Sequence, residues 1–204
     1  MAIEVNARDI KLLTTIAEHR LLTISQLAAF QAKNVRALRR RLHELKEQEI
    51  VRVDSQVFGR QRGRPEGVVS LDETGVRLLK TQGILSADIA ADRVTRQGVR
   101  CIEHHLLLND LRVQVAGIGV VVPSVSCRFL SPVSPFMERS TGGRTLVQER
   151  FRAPGSDGWT ELVPDGVFSL THAELGKTLL FFVEGLNGLD ARATVQCVIF
   201  ILCG

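Results

Sequence analysis

Asn34-Val35-Arg36-Ala37-Leu38-Arg39-Arg40-Arg41-Leu42-His43 leads within a few residues to Val51-Arg52-Val53 and then to Gly59-Arg60-Gln61-Arg62-Gly63-Arg64-Pro65. At 100° per residue, Val35, Leu38, Leu42 and Leu45 fall on one side of a helix. Lys33, Arg36, Arg40 and His43 fall on the other, flanked by Arg39 and Arg41. One face thus suits a core and the opposite face a polyanion. An ordinary solvated helix is the competing reading of such a stretch in isolation, so the sequence on either side decides.

Upstream, Ile10, Leu13, Ile16 and Ala17 recur at helical spacing, which predicts a first helix over residues 8–19. Thr23 or Ser25 caps a short second helix that carries Leu27, Ala28 and Phe30. A turn at residues 31–33 leads into the third helix, which ends near Gln48. Val51 to Val57 and Val68 to Leu71 read as paired strands across the Arg/Gly-rich loop. Asp72-Glu73-Thr74-Gly75 opens a fourth helix with Val76, Leu78 and Leu79. Three helices followed by a two-stranded wing are the order of a winged helix-turn-helix, expected over residues 1–82.

Charge agrees with that assignment. Residues 1–80 hold 15 Lys/Arg and 10 Asp/Glu, whereas the remainder holds 11 and 12. The net charge of +4 therefore sits at the N-terminal end. Positive charge there favours a partner whose phosphates shed condensed counterions on binding. The expected partner is double-stranded DNA, bound by a homodimer, with no membrane involved. Arg36, Arg40 and His43 are the candidates for base edges, because a guanidinium fork matches guanine O6 and N7. Lys33, Arg39, Arg60, Arg62 and Arg64 are the candidates for phosphate or minor-groove contact. Arg62-Gly63-Arg64-Pro65 also matches the Arg-Gly-Arg-Pro core of AT-hooks, although backbone contact is the preferred expectation.

The rest of the chain, residues 83–204, reads as a linker with helical tendency followed by a smaller mixed α/β domain. Overall the expected fold class is α+β. Leu107, Leu111 and Val115 predict a helix over 102–116. Short apolar runs at 119–122, 145–151, 166–170, 178–184 and 194–202 predict strands, punctuated by Gly and Pro. Hydrophobic residues make up 45% of the chain, enough to exclude wholesale disorder. Cys101, Cys127, Cys197 and Cys203 lack metal-ligand or redox spacing. The N-terminus has no apolar signal core and no run is long enough to cross a bilayer, so a cytoplasmic location is expected.

His104 and His105 are neighbours on the predicted helix and point about 100° apart, so they cannot chelate one ion side by side. A packing or capping role is expected for them, and no metal site. There is no phosphate-binding Gly-rich loop and no nucleophile motif.

Glu103-His104-His105-Leu106-Leu107-Leu108-Asn109-Asp110-Leu111, Trp159-Thr160-Glu161, Pro164-Asp165-Gly166-Val167-Phe168 and Leu179-Leu180-Phe181-Phe182-Val183-Glu184, together with the N-terminal pattern, resemble the replication-relaxation family. The resemblance runs from about Arg8 to Glu184. It implies a protein of plasmids, conjugative elements or phages, acting in replication or DNA relaxation or in their transcriptional control, with replication or mobilisation proteins as further partners. It also implies a second domain resembling an incomplete, inactive restriction-endonuclease-like fold. Asp165 and then Glu184 on the next strand look like the start of the Pro-Asp…Glu-x-Lys pattern, in which two carboxylates hold Mg²⁺, with Glu103 or Glu161 as a third acid. Leu186 stands at the Lys position and Lys177 lies seven residues upstream of Glu184. The expectation is therefore a turn acid and a strand-end acid, no cofactor and no enzyme. A Mg²⁺-dependent nuclease or nickase is the first alternative, and an adaptor for a replication or mobilisation protein the second. From Gly185 onward the sequence departs from the family pattern, and a truncated or frame-shifted end is expected there.

Overall fold

The computed structural model describes residues 4–56, 66–131, 134–136, 149–152, 158–162, 164–186 and 194–200. The chain is mixed α and β. Its elements in order are α1 (Ala7–His19), β1 (Leu22–Thr23), α2 (Ile24–Gln31), α3 (Val35–Glu47), β2 (Val51–Gln56), β3 (Glu66–Leu71), α4 (Glu73–Thr81), α5 (Ile102–Val121), β4 (Val125–Leu130), β5 (Glu149–Arg152), β6 (Trp159–Leu162), β7 (Gly166–His172), β8 (Lys177–Leu186) and β9 (Thr194–Phe200).

Local chemistry sets the helix starts. Asn6 and Asp9 form a reciprocal capping box on α1, and Thr23 and Gln26 form another on α2. Thr23, rather than Ser25, is therefore the α2 cap. Asn34 accepts from the backbone N–H of Arg36, and Asp72 from that of Glu73. β1, β3 and β2 make a small antiparallel sheet, with Leu22 opposite Val69 and Val53 opposite Val69 on its other side. α4 approaches the sheet so closely that a Cβ on Gly75 would collide with the carbonyl oxygen of Ile50.

One core fills this N-terminal part. Leu13, Ile16, Leu27, Leu38, Leu42, Leu45, Val69 and Leu79 are buried together. Each side chain of this kind contributes about 1.5–3 kcal/mol when withdrawn from water. The stretch expected to be a linker joins the same core. Val94 is fully buried in it, between 3₁₀ turns at Ala91–Arg93 and Arg96–Gly98, and Thr95 bridges to Leu71.

β4, β7, β8 and β9 form a second antiparallel sheet in that order, and β5 pairs with β6 apart from it. Leu108 and Val115 of α5 pack on Phe168 and Val183 of this sheet. Gly166 makes room for the ring of Phe129, where a Cβ would clash. That ring lies parallel to Phe168 at 6.3 Å, and Phe168 stacks on Phe181 at 4.5 Å.

One strand expected from the sequence is helix instead. Residues 119–121, expected as strand, continue α5 to Val121. A short apolar run has no period of its own, and here the preceding helical hydrogen bonding simply propagates. The helix expected over 102–116 is present as α5, with burial spread beyond the line of Leu107, Leu111 and Val115. Leu107 and Leu111 are only half-buried, whereas Leu106, Leu108, Asn109, Arg112 and Val115 are buried. The helix is covered on more than one side. Leu106 meets Leu21 and Val68 of the N-terminal part, while Leu108 and Val115 face the second sheet.

Polar groups make the same seam. The Nε2–H of His105 donates to the carbonyl oxygen of His19 at 2.5 Å, and Asn109 donates to that of Leu21 at 2.6 Å. Gln26 reaches the carbonyl oxygen of Leu106 at 2.8 Å and the Asp110 carboxylate at 2.7 Å. His19 itself donates from Nδ1 to the carbonyl oxygen of Thr15. Burial, with Arg112 nearby, lowers the His19 value to about 3, and burial lowers that of His105 to about 4.

Both imidazoles therefore protonate more readily in the unfolded chain, whose ordinary value is about 6.5. Their contribution is fully present above that pH and is lost progressively as the pH falls toward 4. Urea midpoints should drop markedly between pH 7.5 and pH 5, and the drop should shrink in His105→Gln. Equal midpoints at the two pH values would contradict this assignment.

Candidate nucleic-acid interface

α3 is built as its sequence suggests. Leu38, Leu42 and Leu45 are buried and Val35 packs beside them. Lys33, Arg36, Arg39, Arg40 and His43 are all exposed. None of them forms an ion pair among the described residues. Lys46, exposed three residues beyond His43, extends the cationic line. The three-residue step was the available signal for it, and the sequence reading passed it over. Glu47, the last residue of the helix, ends the line.

Arg41 differs from its neighbours. It turns inward, with Nε donating to Asp9 Oδ1 at 2.8 Å and Nη2 to Asp9 Oδ2 at 2.6 Å. Nη1 donates to Glu44 at 2.6 Å and Nη2 also reaches the carbonyl oxygen of Glu4. Asp9 is only 3% exposed. Burial would raise its carboxyl, but hydrogen bonds from Arg41 and from the Asn6 backbone, with the charges of Arg41 and Lys33, hold it below the usual range. The hydrogen bonds of Asp9 and Glu44 in turn hold the guanidinium protonated. Arg41 is thus a positioning residue that clamps α3 to α1 by a bidentate fork.

The turn between α2 and α3 is short. Ala32 adopts left-handed backbone, φ 47° and ψ 43°, and its N–H closes α2 on the carbonyl oxygens of Ala28 and Ala29. This places Lys33 and the capping Asn34 immediately before the first turn of α3. The loop carrying Arg60, Arg62 and Arg64 lies outside the described residues.

The second candidate set separates differently. Asp165 precedes β7, and its N–H donates to the carbonyl oxygen of Val183, one residue before Glu184 on β8. The two backbones are therefore neighbours across the sheet, while the side chains of Glu184 and Glu161 lie outside the described residues. Asp165 Oδ1 meets His104 Nε2 at 3.2 Å. His104 and His105 thus point to different partners, a carboxylate and a main-chain carbonyl, and share no ligand. Lys177 opens β8 and Glu184 lies seven residues on, which at the rise of a strand is roughly 23 Å. Among the described residues no three His, Cys, Asp or Glu side chains gather as a metal site. No helix among them is long and apolar enough to cross a membrane.

Comparison with known families adds a match over residues 13–188 to the replication-relaxation model. The chain belongs to the replication-relaxation family. None of the curated proteins matches it. The family match takes in α3, the seam formed by α5, and the Asp165–Phe168 stretch beside it.

Removing the charge that holds Arg41 should weaken the frame of α3. Asp9→Asn leaves a partly buried guanidinium short of its counter-charge, at a cost of about 2 kcal/mol. Chemical denaturation of the variant tests this. A change within experimental scatter of zero would show that the fork does not hold α3.

Proposed function

We propose that residues 1–82 are a winged helix-turn-helix and that the protein binds duplex DNA in the replication or relaxation of a plasmid, conjugative element or phage, or in its control. In this reading α3 lies in the major groove. Arg36, Arg40 and His43 face base edges, Lys33 and Arg39 face phosphates, and Arg60, Arg62 and Arg64 lie along the backbone or minor groove.

The observation that carries the reading is the contrast along α3. Between Lys33 and Lys46, six cationic or titratable side chains are exposed without a carboxylate partner among the described residues, while Arg41 is spent on fixing the helix. Exposed cations on a solvated helix are commonly interleaved with acids at i±4. Here no acid stands between Lys33 and His43; Glu44, four residues beyond Arg40, is held by Arg41, and Glu47 stands four residues beyond His43. The element order α1-β1-α2-α3-β2-β3, with β3 between β1 and β2, also accords with a winged helix. Family membership supports the mobile-element setting.

Five phosphate contacts would give a slope of about −4.5 for the logarithm of the binding constant against that of salt concentration. The double variant Arg36→Ala plus Arg40→Ala should lose retention of a duplex selected from random sequence in a gel shift. Undiminished binding by the double variant would remove α3 from the interface, and a flat salt profile would remove phosphate contact.

A further inference from the structure

A cleft of about 220 Å³ opens where α5 and β4 meet the ends of α1 and α2. Glu18, His19 and Phe30 line it from one side, and Arg112, Ala116 and Phe129 from the other. Its volume exceeds the roughly 150 Å³ that suffices for a benzene-sized guest.

Arg112 is the unusual wall. It is only 4% exposed, yet no carboxylate bridges it among the described residues. Nη1 donates to Asn109 Oδ1 at 3.1 Å, and the guanidinium lies 4.8 Å from the centre of the Phe129 ring. Nε is sealed from solvent and has no acceptor, and Nη2 makes no hydrogen bond among the described residues. A guanidinium carries five N–H donors, so most of its capacity is unused. Burial lowers its value to about 10, which leaves it protonated at neutral pH. A buried cation of this kind is costly unless something compensates it. Glu18 is the nearest source of negative charge, and its carboxylate is engaged by the Ser134 hydroxyl at 2.6 Å.

The other walls define the shape and charge of an occupant. Phe30 and Phe129 line it with aromatic carbon, Phe30 packing on His19 at 4.3 Å between centroids and Phe129 lying under Arg112. His19 is neutral, so Arg112 is the one cationic wall residue among the described residues, and the Glu18 carboxylate opposes a second negative charge. We infer that this cleft binds a small monoanion, a carboxylate carried on a compact aromatic or branched apolar body, with Arg112 as the anion anchor. The apolar body lies between Phe30 and Phe129, and the carboxylate takes donors of Arg112 that the protein leaves unused. This site goes beyond the DNA reading and stands or falls separately from it.

Benzoate is the probe, titrated into the full chain by calorimetry, with benzyl alcohol and inorganic phosphate as comparisons. Saturable benzoate binding at least tenfold tighter than either comparison is expected. Arg112→Met should weaken benzoate at least tenfold. Should that variant fold poorly, Ala116→Phe fills the cleft from an exposed helix position and should abolish binding while the circular dichroism spectrum is kept. The site is overturned by no saturable benzoate binding, by equal affinity for benzyl alcohol, or by unchanged benzoate affinity in Ala116→Phe. Tighter binding of phosphate than of benzoate also overturns it, because the apolar walls would then contribute nothing.

Discussion

α1 ends at His19, and the carbonyl oxygens beyond its last turn point toward the protein interior. α5 satisfies them. His105 donates to His19, Asn109 donates to Leu21, and Gln26 returns the interaction to Leu106 and Asp110. The His19 carbonyl also accepts from the Leu21 N–H, so the stronger constraint on where α5 lies is the bond of Asn109 to the Leu21 carbonyl, whose loss would cost about 1–3 kcal/mol. Once α5 is fixed along the N-terminal core, its far side presents Leu108 and Val115 to the second sheet. His104, one residue from His105 and pointing elsewhere, then meets Asp165 at the edge of β7. Two of the segments that carry the family resemblance lie at this seam. The His-His…Asn-Asp stretch caps and docks, and Asp-Gly-Val-Phe supplies a His104 partner, a space for Phe129 and a stacking ring.

The same division of labour appears on α3. A run of arginines looks uniform in sequence, but the helix sorts it. Arg41 is committed to Asp9 and Glu44, which fixes the angle of α3 on α1. The others remain exposed. A guanidinium with bidentate geometry suits both tasks, since the fork that grips a carboxylate also matches phosphate and guanine. What differs is whether the protein provides the acid.

Much of the N-terminal fold was legible because its signals are local. Asn34, Asp72 and Thr23 punctuate helices within one turn, and Leu38, Leu42 and Leu45 follow a period set by helix geometry alone. The failures share a cause as well. The burial of Val94 within a stretch that reads as linker, the inward turn of Arg41 and the docking of Asn109 each depend on distant partners, Leu71 bridged to Thr95, Asp9 and Leu21, whereas the capping role expected for His105 is met at the carbonyl oxygen of His19. β1 and β4 escaped notice because two residues, or a polar-interrupted run such as Val125–Leu130, show no distinctive period. The His104 contact of Asp165 was not legible either, because it joins α5 to the start of β7.

The account turns on the exposed face of α3 being the surface that meets DNA. A photo-crosslinking amino acid placed at Arg40, with a second variant carrying it at Arg77 on the exposed side of α4, tests this directly. Irradiation with a selected duplex should covalently trap DNA from position 40 and leave position 77 free. Trapping from position 77 alone, or none from position 40 while that same variant still retains the duplex in a gel shift, would contradict it.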